Sequence, residues 1–441
     1  MVGVHSWRQA DTAAMARHFA EGGMHWWLPQ IDWGGATAGY VEAEFPLYPW
    51  LVAWLYRLGG IHEWLGRSFS LVCSLLTLLL VVRIGRRLLG SEAGWWGGLL
   101  WAVAPLAVHY GRAVQAESLL MLLAAFGLDR GLAWRSTGRE RDLALAWLML
   151  TLCGLLKVLP LLWLGLPLLW LWLQRHGIRG LRLPVLWLMG FGSLICVAAW
   201  YVHAHHLGAV SGLSFGFWMS DTNRYSWQQL LGLDYWLNIG LRFSLRGLGL
   251  VGLPLVLAAV VTVLRRRDAD RAGTPGSEPP TAEARVLVVG MAAVLLAGAL
   301  AAESSSVHEY YQLPLLLYAA PLLGLGLDRL AGHPQWRRMA MAGIVAAAML
   351  SLIADYWLVE RRQEAVLLPL ARAIEAGTTP QQRVISVTGP DPTLLNLARR
   401  QGWLIKPGKL TTERIQSLQA EGADVIAASF ETIESYRPFS D

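Results

Sequence analysis

Charge is scarce in this chain: Asp, Glu, Lys and Arg make up 15% of its 441 residues, against 55% hydrophobic. A soluble domain carries about a quarter charged residues, so this composition excludes an ordinary soluble enzyme and points to a polytopic membrane protein. Cysteine is scarcer still. Cys73, Cys153 and Cys196 fall in apolar runs without metal-ligand spacing, which excludes a disulfide framework and reads as buried structural thiols. Also missing are a glycine-rich phosphate cradle, a Ser-His-Asp pattern, a Cys/His zinc spacing and a signal peptide. The net charge of +6 would suit nucleic acid, but the arginines cluster between hydrophobic runs, where membrane topology accounts for them, so no nucleic-acid partner is expected.

What the chain has is apolar length and tryptophan. About ten hydrophobic segments are long enough to cross or nearly cross a bilayer, over 68–82, 93–108, 118–134, 143–156, 160–173, 184–201, 245–264, 286–302, 311–327 and 339–358. The 23 Trp lie mostly near segment ends, as interfacial anchoring predicts. Every second loop is basic: Arg83, Arg86 and Arg87; Arg130, Arg135, Arg139 and Arg141; Arg175, Arg179 and Arg182; Arg265, Arg266, Arg267 and Arg271; Arg329, Arg337 and Arg338. Those loops face the cytoplasm. The alternate loops, holding only Arg112, Lys157, Arg224 and Arg242 as basic residues, then face outside with both termini.

The expected fold is therefore an α-helical polytopic membrane protein of about ten transmembrane helices with a small extracytoplasmic α/β domain at the C-terminus. Residues 1–65 read as a first extracytoplasmic loop with interfacial helices, 66–264 as an N-terminal transmembrane module, 265–285 as a flexible cytoplasmic linker, 286–359 as C-terminal transmembrane helices and 360–441 as the α/β domain. Within the last, 383–387, 393–400, 411–420 and 424–429 read as strand, helix, helix and strand.

The polar residues that remain gather in the outside loops. Asp11, Glu42 and Glu44 flank one aromatic loop, and like charges near an apolar boundary raise a carboxyl pKa toward what a general base needs. The plainer readings are a helix N-cap for Asp11 and a solvated loop edge for the two glutamates. Glu117, with Arg112, adds an acid and a guanidinium suited to phosphate; a first-turn helix acid is the plain reading of Glu117. Lys157, at the outer end of its segment, either snorkels to the interface or binds phosphate. Next, His308-Glu309-Tyr310-Tyr311 precedes the ninth segment, where tyrosine anchoring is ordinary. His203, His205 and His206 read as interfacial polar groups rather than metal ligands.

In order, WRQADTAAMARHF, GYVEAEFPLYPWLVAWLYRLGG, EWLGRSFSLVCSLLTLLL, YGRAVQAESLLML, GLLKVLP and HEYYQLPLLLYAAPLLGLGL resemble GT-C superfamily membrane glycosyltransferases. The likeness spans about residues 5–330 and is nearest the dolichyl-phosphate-mannose protein mannosyltransferases and aminoarabinose transferases (glycosyltransferase family 39-like). It implies an inverting transfer from a polyprenyl-phosphate sugar donor to an extracytoplasmic acceptor (lipid, glycan or protein), in a bacterial inner membrane with the active site outside. Asp11 and Glu117 match the family's catalytic acids. Arg8, Glu42, Glu44, Arg112, Lys157, His308, Glu309, Tyr310 and Tyr311 are the expected substrate-binding residues. Thr12 stands where protein mannosyltransferases carry a second acid, so a protein acceptor is not implied. No metal site is assigned, and a divalent metal ion is the one cofactor left open.

Two other classes are a transporter or flippase of lipid-linked sugars and a non-catalytic subunit that binds them. A transporter would carry ionisable residues within its spans, where this chain has few. Because residues 1–65 must be exported and no span precedes them, the reading expects about 20 apolar residues encoded in frame upstream of Met1, which the genomic sequence checks.

Overall fold

The computed structural model describes residues 2–215, 227–265, 281–330 and 332–428. Arg224, Arg266, Arg267, Arg271, most of the expected linker and the end of the last expected strand lie outside the described residues. The first half runs α1 (Ser6–Glu21), α2 (Leu47–Gly59), α3 (Glu63–Leu89), α4 (Ser91–Val103), α5 (Pro105–Arg112), α6 (Glu117–Thr137), α7 (Glu140–Leu156), α8 (Pro160–Trp163), α9 (Gly165–His176) and α10 (Pro184–Ser211). The second half runs α11 (Trp227–Leu231), α12 (Leu233–Arg246), α13 (Gly252–Arg265), α14 (Arg285–Leu300), α15 (Ala302–Val307), α16 (Leu313–Asp328), α17 (Pro334–Ser351) and α18 (Leu358–Gly377). A small unit comes last: β1 (Val384–Ser386), α19 (Thr393–Ala398), β2 (Gly402–Leu404), α20 (Thr412–Ala420) and β3 (Val425–Ala427).

The protein is a helical membrane protein. Among the described residues, five helices are long and apolar enough to cross a bilayer. The pair α5 and α6, bent by 113° at residues 113–116, makes a sixth if taken as one span. The remaining apolar segments of the sequence reading fall on shorter helices, several of them broken: 93–108 divides at Ala104, and 160–173 divides at Leu164. The sixth segment runs longer than expected, with α10 carrying His203, His205 and His206 into two further turns of helix. On that helix Cys196 is exposed, so of the three thiols only Cys73 and Cys153 are buried.

At the centre stands α16. Its sequence is apolar on every side, and every residue from Leu313 to Asp328 is buried, the pattern of a helix surrounded by others. It lies closest to α4, where a Cβ on Gly324 would fall 1.9 Å from the Ala93 carbonyl oxygen. Several charges in the bundle are held in pairs. At the basic end of α6, buried Asp129 holds Arg83 at 2.9 Å and Arg130, which reaches Asp142 at 3.0 Å. Glu117 opens the same helix, so the basic end and the acidic end sit about 20–30 Å apart at 1.5 Å per residue.

The C-terminal unit is a three-stranded parallel sheet in the order β2-β1-β3. Here β2 is an addition to the sequence reading, which ended the preceding helix at Gly402. The boundary expected near 360 falls inside continuous helix, because α17 passes through a π-helical turn, Leu352–Trp357, directly into α18.

Gly324→Val should cost at least about 2 kcal/mol by driving a side chain into the α4 backbone. Gly190→Ala on α10, with nothing within 4 Å of the added carbon, should leave stability unchanged or slightly raised. Thermal unfolding in detergent compares the two.

Candidate active site

The N-terminal helix and two helix ends build the site. The Ala-rich sequence of α1 favours helix from Ser6 onward, placing Asp11 in its second turn and not at its N-cap. Arg8 and Asp11 stand three residues apart, hence on one face. The α5/α6 break places Glu117 in the first turn of α6, where the helix dipole favours an acid. Gln9 from α1 steadies that break by accepting from the Val114 N–H at 3.2 Å. Finally α7 ends at Lys157, whose extended backbone turns its ammonium back onto Glu117.

These residues line three neighbouring spaces that share wall residues. A central cleft of about 1140 Å³ has Arg8, Glu44, Lys157, His308, Tyr310 and Tyr311 on its walls. At one side Arg8 and Glu44 are shared with a recess of about 450 Å³ that holds Asp11, floored by Met15, Phe45 and Phe215. At the other side Lys157, Tyr310 and Tyr311 are shared with an apolar pocket of about 420 Å³ lined by Leu120, Met121, Trp163 and Val294. Polar chemistry thus sits between an acid-bearing recess and a greasy slot.

Its electrostatics are simple. Arg8 pairs with Glu44, and Lys157 pairs with buried Glu117 while lying 4.2 Å from the Tyr310 ring centroid. His308 stacks on Tyr310 at 5.3 Å and meets the His5 ring edge-on at 5.1 Å. Burial, together with Arg8 and Lys157 nearby, holds both imidazoles down to a pKa of about 4, so they are neutral at physiological pH. The two cations on the cleft walls are then Arg8 and Lys157. Asp11 Oδ1 accepts from the Trp33 indole N–H at 3.0 Å, and among the described residues Asp11 makes no salt bridge. Burial, with the Asp32 and Asp391 charges beyond, pushes its carboxyl well above the usual carboxylate range. Asp32 goes the other way, because Arg17 at 2.6 Å and His18 at 2.9 Å outweigh its burial and hold it below that range.

The remaining sequence-derived residues divide. Glu42 is buried beside the cleft and accepts from Ser214 Oγ at 2.6 Å. Glu309 faces away from the cleft; it accepts from Tyr110 at 3.1 Å and Tyr356 at 2.6 Å and pairs with Arg246. Arg112 does not join the group: it pairs with Glu360 at the foot of α18 and lines none of the three spaces. Sequence reasoning passed over Trp33, His5 and Arg246. Arg246 reads as one more helix-end charge until the fold brings it to Glu309 and to Asp355 at 3.2 Å. Among the described residues, no three His, Cys, Asp or Glu side chains are grouped as a metal site would need.

Residues 43–203 match the profile of the family described as dolichyl-phosphate-mannose-protein mannosyltransferase. No curated protein sequence matches the chain. Among solved structures, ArnT from Cupriavidus metallidurans bound to undecaprenyl phosphate superposes with a TM-score of 0.65 at 16% identity, over 96% of this chain and 85% of that one. The Archaeoglobus fulgidus oligosaccharyltransferase, in complex with Zn and sulfate, gives 0.53 at 13% identity, over 91% of this chain and 58% of that one. The fold is the one the sequence resemblance implied, that of the GT-C membrane glycosyltransferases.

Lys157→Met should leave Glu117 as an uncompensated buried charge and cost about 3–5 kcal/mol in thermal unfolding. Adding Glu117→Gln to the same chain should recover most of that loss, since the pair is then removed together.

Proposed function

We propose that this membrane protein, with the fold of the GT-C glycosyltransferases, moves a sugar from a polyprenyl-phosphate donor to a hydroxyl acceptor on the outer side of a bacterial inner membrane. The observation that carries the reading is the order of three neighbouring spaces that share wall residues. In that order an apolar slot suited to an isoprenoid chain comes first, then Lys157 and Arg8, the two cations of the cleft, then Asp11.

The chemistry is set by that order. The isoprenoid lies among Leu120, Met121, Trp163 and Val294, where burial of each methylene contributes about 0.8 kcal/mol. Its phosphate sits against Lys157 and Arg8. Each cation has spare N–H donors beyond its own carboxylate partner, and Tyr310 and Tyr311 supply phenolic groups on the same wall. The acceptor enters from the recess with its hydroxyl on Asp11. Asp11 takes the hydroxyl proton as the oxygen attacks the anomeric carbon. The bond from that carbon to the phosphate oxygen breaks, and the lipid phosphate departs with the electron pair. One displacement on the face opposite the leaving phosphate inverts the anomeric configuration. Charge grows on the departing phosphate in the transition state, and fixed cations already in place stabilise it there.

A raised pKa suits this role, because a base must still accept a proton while being ionised at the working pH. Turnover should therefore fall on acidification through a pKa well above the ordinary carboxylate range. Asp11→Asn should lower turnover by about 10²–10⁴-fold and erase that acid limb while leaving binding of undecaprenyl phosphate intact. Near-normal turnover by a folded Asn variant would sink the assignment.

A further inference from the structure

We propose that the C-terminal α/β unit belongs to the catalytic apparatus, holding the Asp11 carboxylate in place through Trp33, which acts as a positioning residue. The inference rests on the reading of Asp11 as the base.

Two sets of contacts carry it. The first runs through the loop after α1. Gly402, the first residue of β2, donates its N–H to the Asp32 carbonyl at 2.9 Å and accepts from the Gly35 N–H at 2.8 Å. Trp33 lies between those two bonds, so its backbone is clamped by the edge of the appended sheet. Its ring packs on the core of the appendage, against the cluster that includes Ala371, Val384 and Leu394, and equally on the cluster around Met15 and Phe19. From there the indole N–H reaches Asp11. The Trp403 indole closes over the same loop at Gly35, which has φ +61° and whose absent Cβ would lie 2.4 Å from the Trp403 nitrogen. Only glycine allows that approach.

The second set grips α1 itself. Ser6, one turn before Asp11, donates to Asp391 Oδ2 at 3.0 Å, while Asp391 Oδ1 accepts from the Thr393 N–H at 2.9 Å and so fixes the start of α19. Helix α19 then packs along α1. The charged groups facing Asp11 are Arg8 on its own helix, Asp32 in the loop with Arg17 and His18 compensating it, and Asp391 from the appendage. One donor and one of these charges are thus placed by a unit far along the chain. Removing the Trp33 donor weakens the ionised form of Asp11, whereas removing the Asp391 charge strengthens it.

The test needs only protons as ligand. In the full-length protein in lipid nanodiscs, infrared difference spectra against Asp11→Asn isolate the C=O stretch of the protonated Asp11 and hence its titration midpoint. Trp33→Phe, which keeps a ring and removes the N–H, should raise the midpoint by about one pH unit. Trp403→Ala should raise it by less in the wild-type background and not at all in Trp33→Phe. A midpoint that ignores Trp33→Phe, or a Trp403→Ala shift that persists in Trp33→Phe, would overturn the proposal. Should Trp33→Phe not fold, Asp391→Asn, which keeps its shape and loses its charge, should lower the midpoint, and an unchanged value there would overturn it equally. Turnover of Asp11→Asn separates the two readings. Shifted midpoints with an active Asn variant remove the base and with it the catalytic role of the appendage. Unshifted midpoints with an inactive Asn variant remove the coupling and leave the base.

Discussion

Lys157 and Glu117 meet where α7 ends beside the start of α6, and their pairing fixes one wall of the cleft. A carboxylate taken out of water into a chain this apolar costs several kcal/mol unless a cation and hydrogen bonds offset it. Glu117 opens α6 against the dipole end that favours an acid, and Lys157 closes α7 against the end that favours a cation. Their pairing joins two helix termini that an all-apolar packing would bring together with no defined register. The same rule repeats at Arg8 with Glu44, at Arg246 with Glu309 and Asp355, and at Arg17 with Asp32. Each pair ties together segments distant in the chain, and around them the helices leave room where side chains must be kept apart.

Asp11 is the exception that the rule makes visible. It is as buried as the paired acids, yet a single indole N–H takes the place of a cation. The free energy the fold does not recover by pairing it appears instead as a carboxyl that holds its proton more tightly. A chain under pressure only for stability would have an amide or an apolar side chain here. Among the described residues, a buried acid without a salt bridge beside so many paired ones is what a position selected for proton affinity would show.

How much of this could be read from residues alone depends on the same scarcity of charge. Long apolar runs mark helices because the bilayer demands them, and in so apolar a chain each acid in an outside loop stands out. Distance in sequence hides the rest. Nothing near Arg112 announces Glu360 as its partner, and a guanidinium alone in a short loop reads as a phosphate ligand. Arg246 was invisible for the opposite reason, being one basic helix end among many. Asp11 suggested an N-cap because an amphipathic stretch follows it, but the helix already begins at Ser6. The strand at Gly402-Trp403-Leu404 is three residues long, too short for any alternation to show, and its opening glycine signals a helix stop.

That short strand has a consequence for the architecture. Helices α17 and α18 run as one rod of 44 residues from Pro334 to Gly377, interrupted only by the π turn that carries Asp355 and Tyr356. A π turn adds a residue to the helical path and rotates the later turns of the helix, a device found often beside functional sites. Here it lets one helix do two things. Its π turn sends Tyr356 and Asp355 inward to the Glu309–Arg246 pair behind the cleft, while the residues beyond send Glu360 to Arg112 and Gln363 to the Gly3 N–H. The rod therefore reaches from the membrane bundle to the first loop and delivers the α/β unit onto α1 at a set distance. Without the bundle anchoring one end, the contacts of Gly402 and Asp391 would have nothing rigid behind them. The geometry around Asp11 is in this sense a property of the whole chain, assembled from the N-terminal helix, the loop after it and the C-terminal residues that close over both.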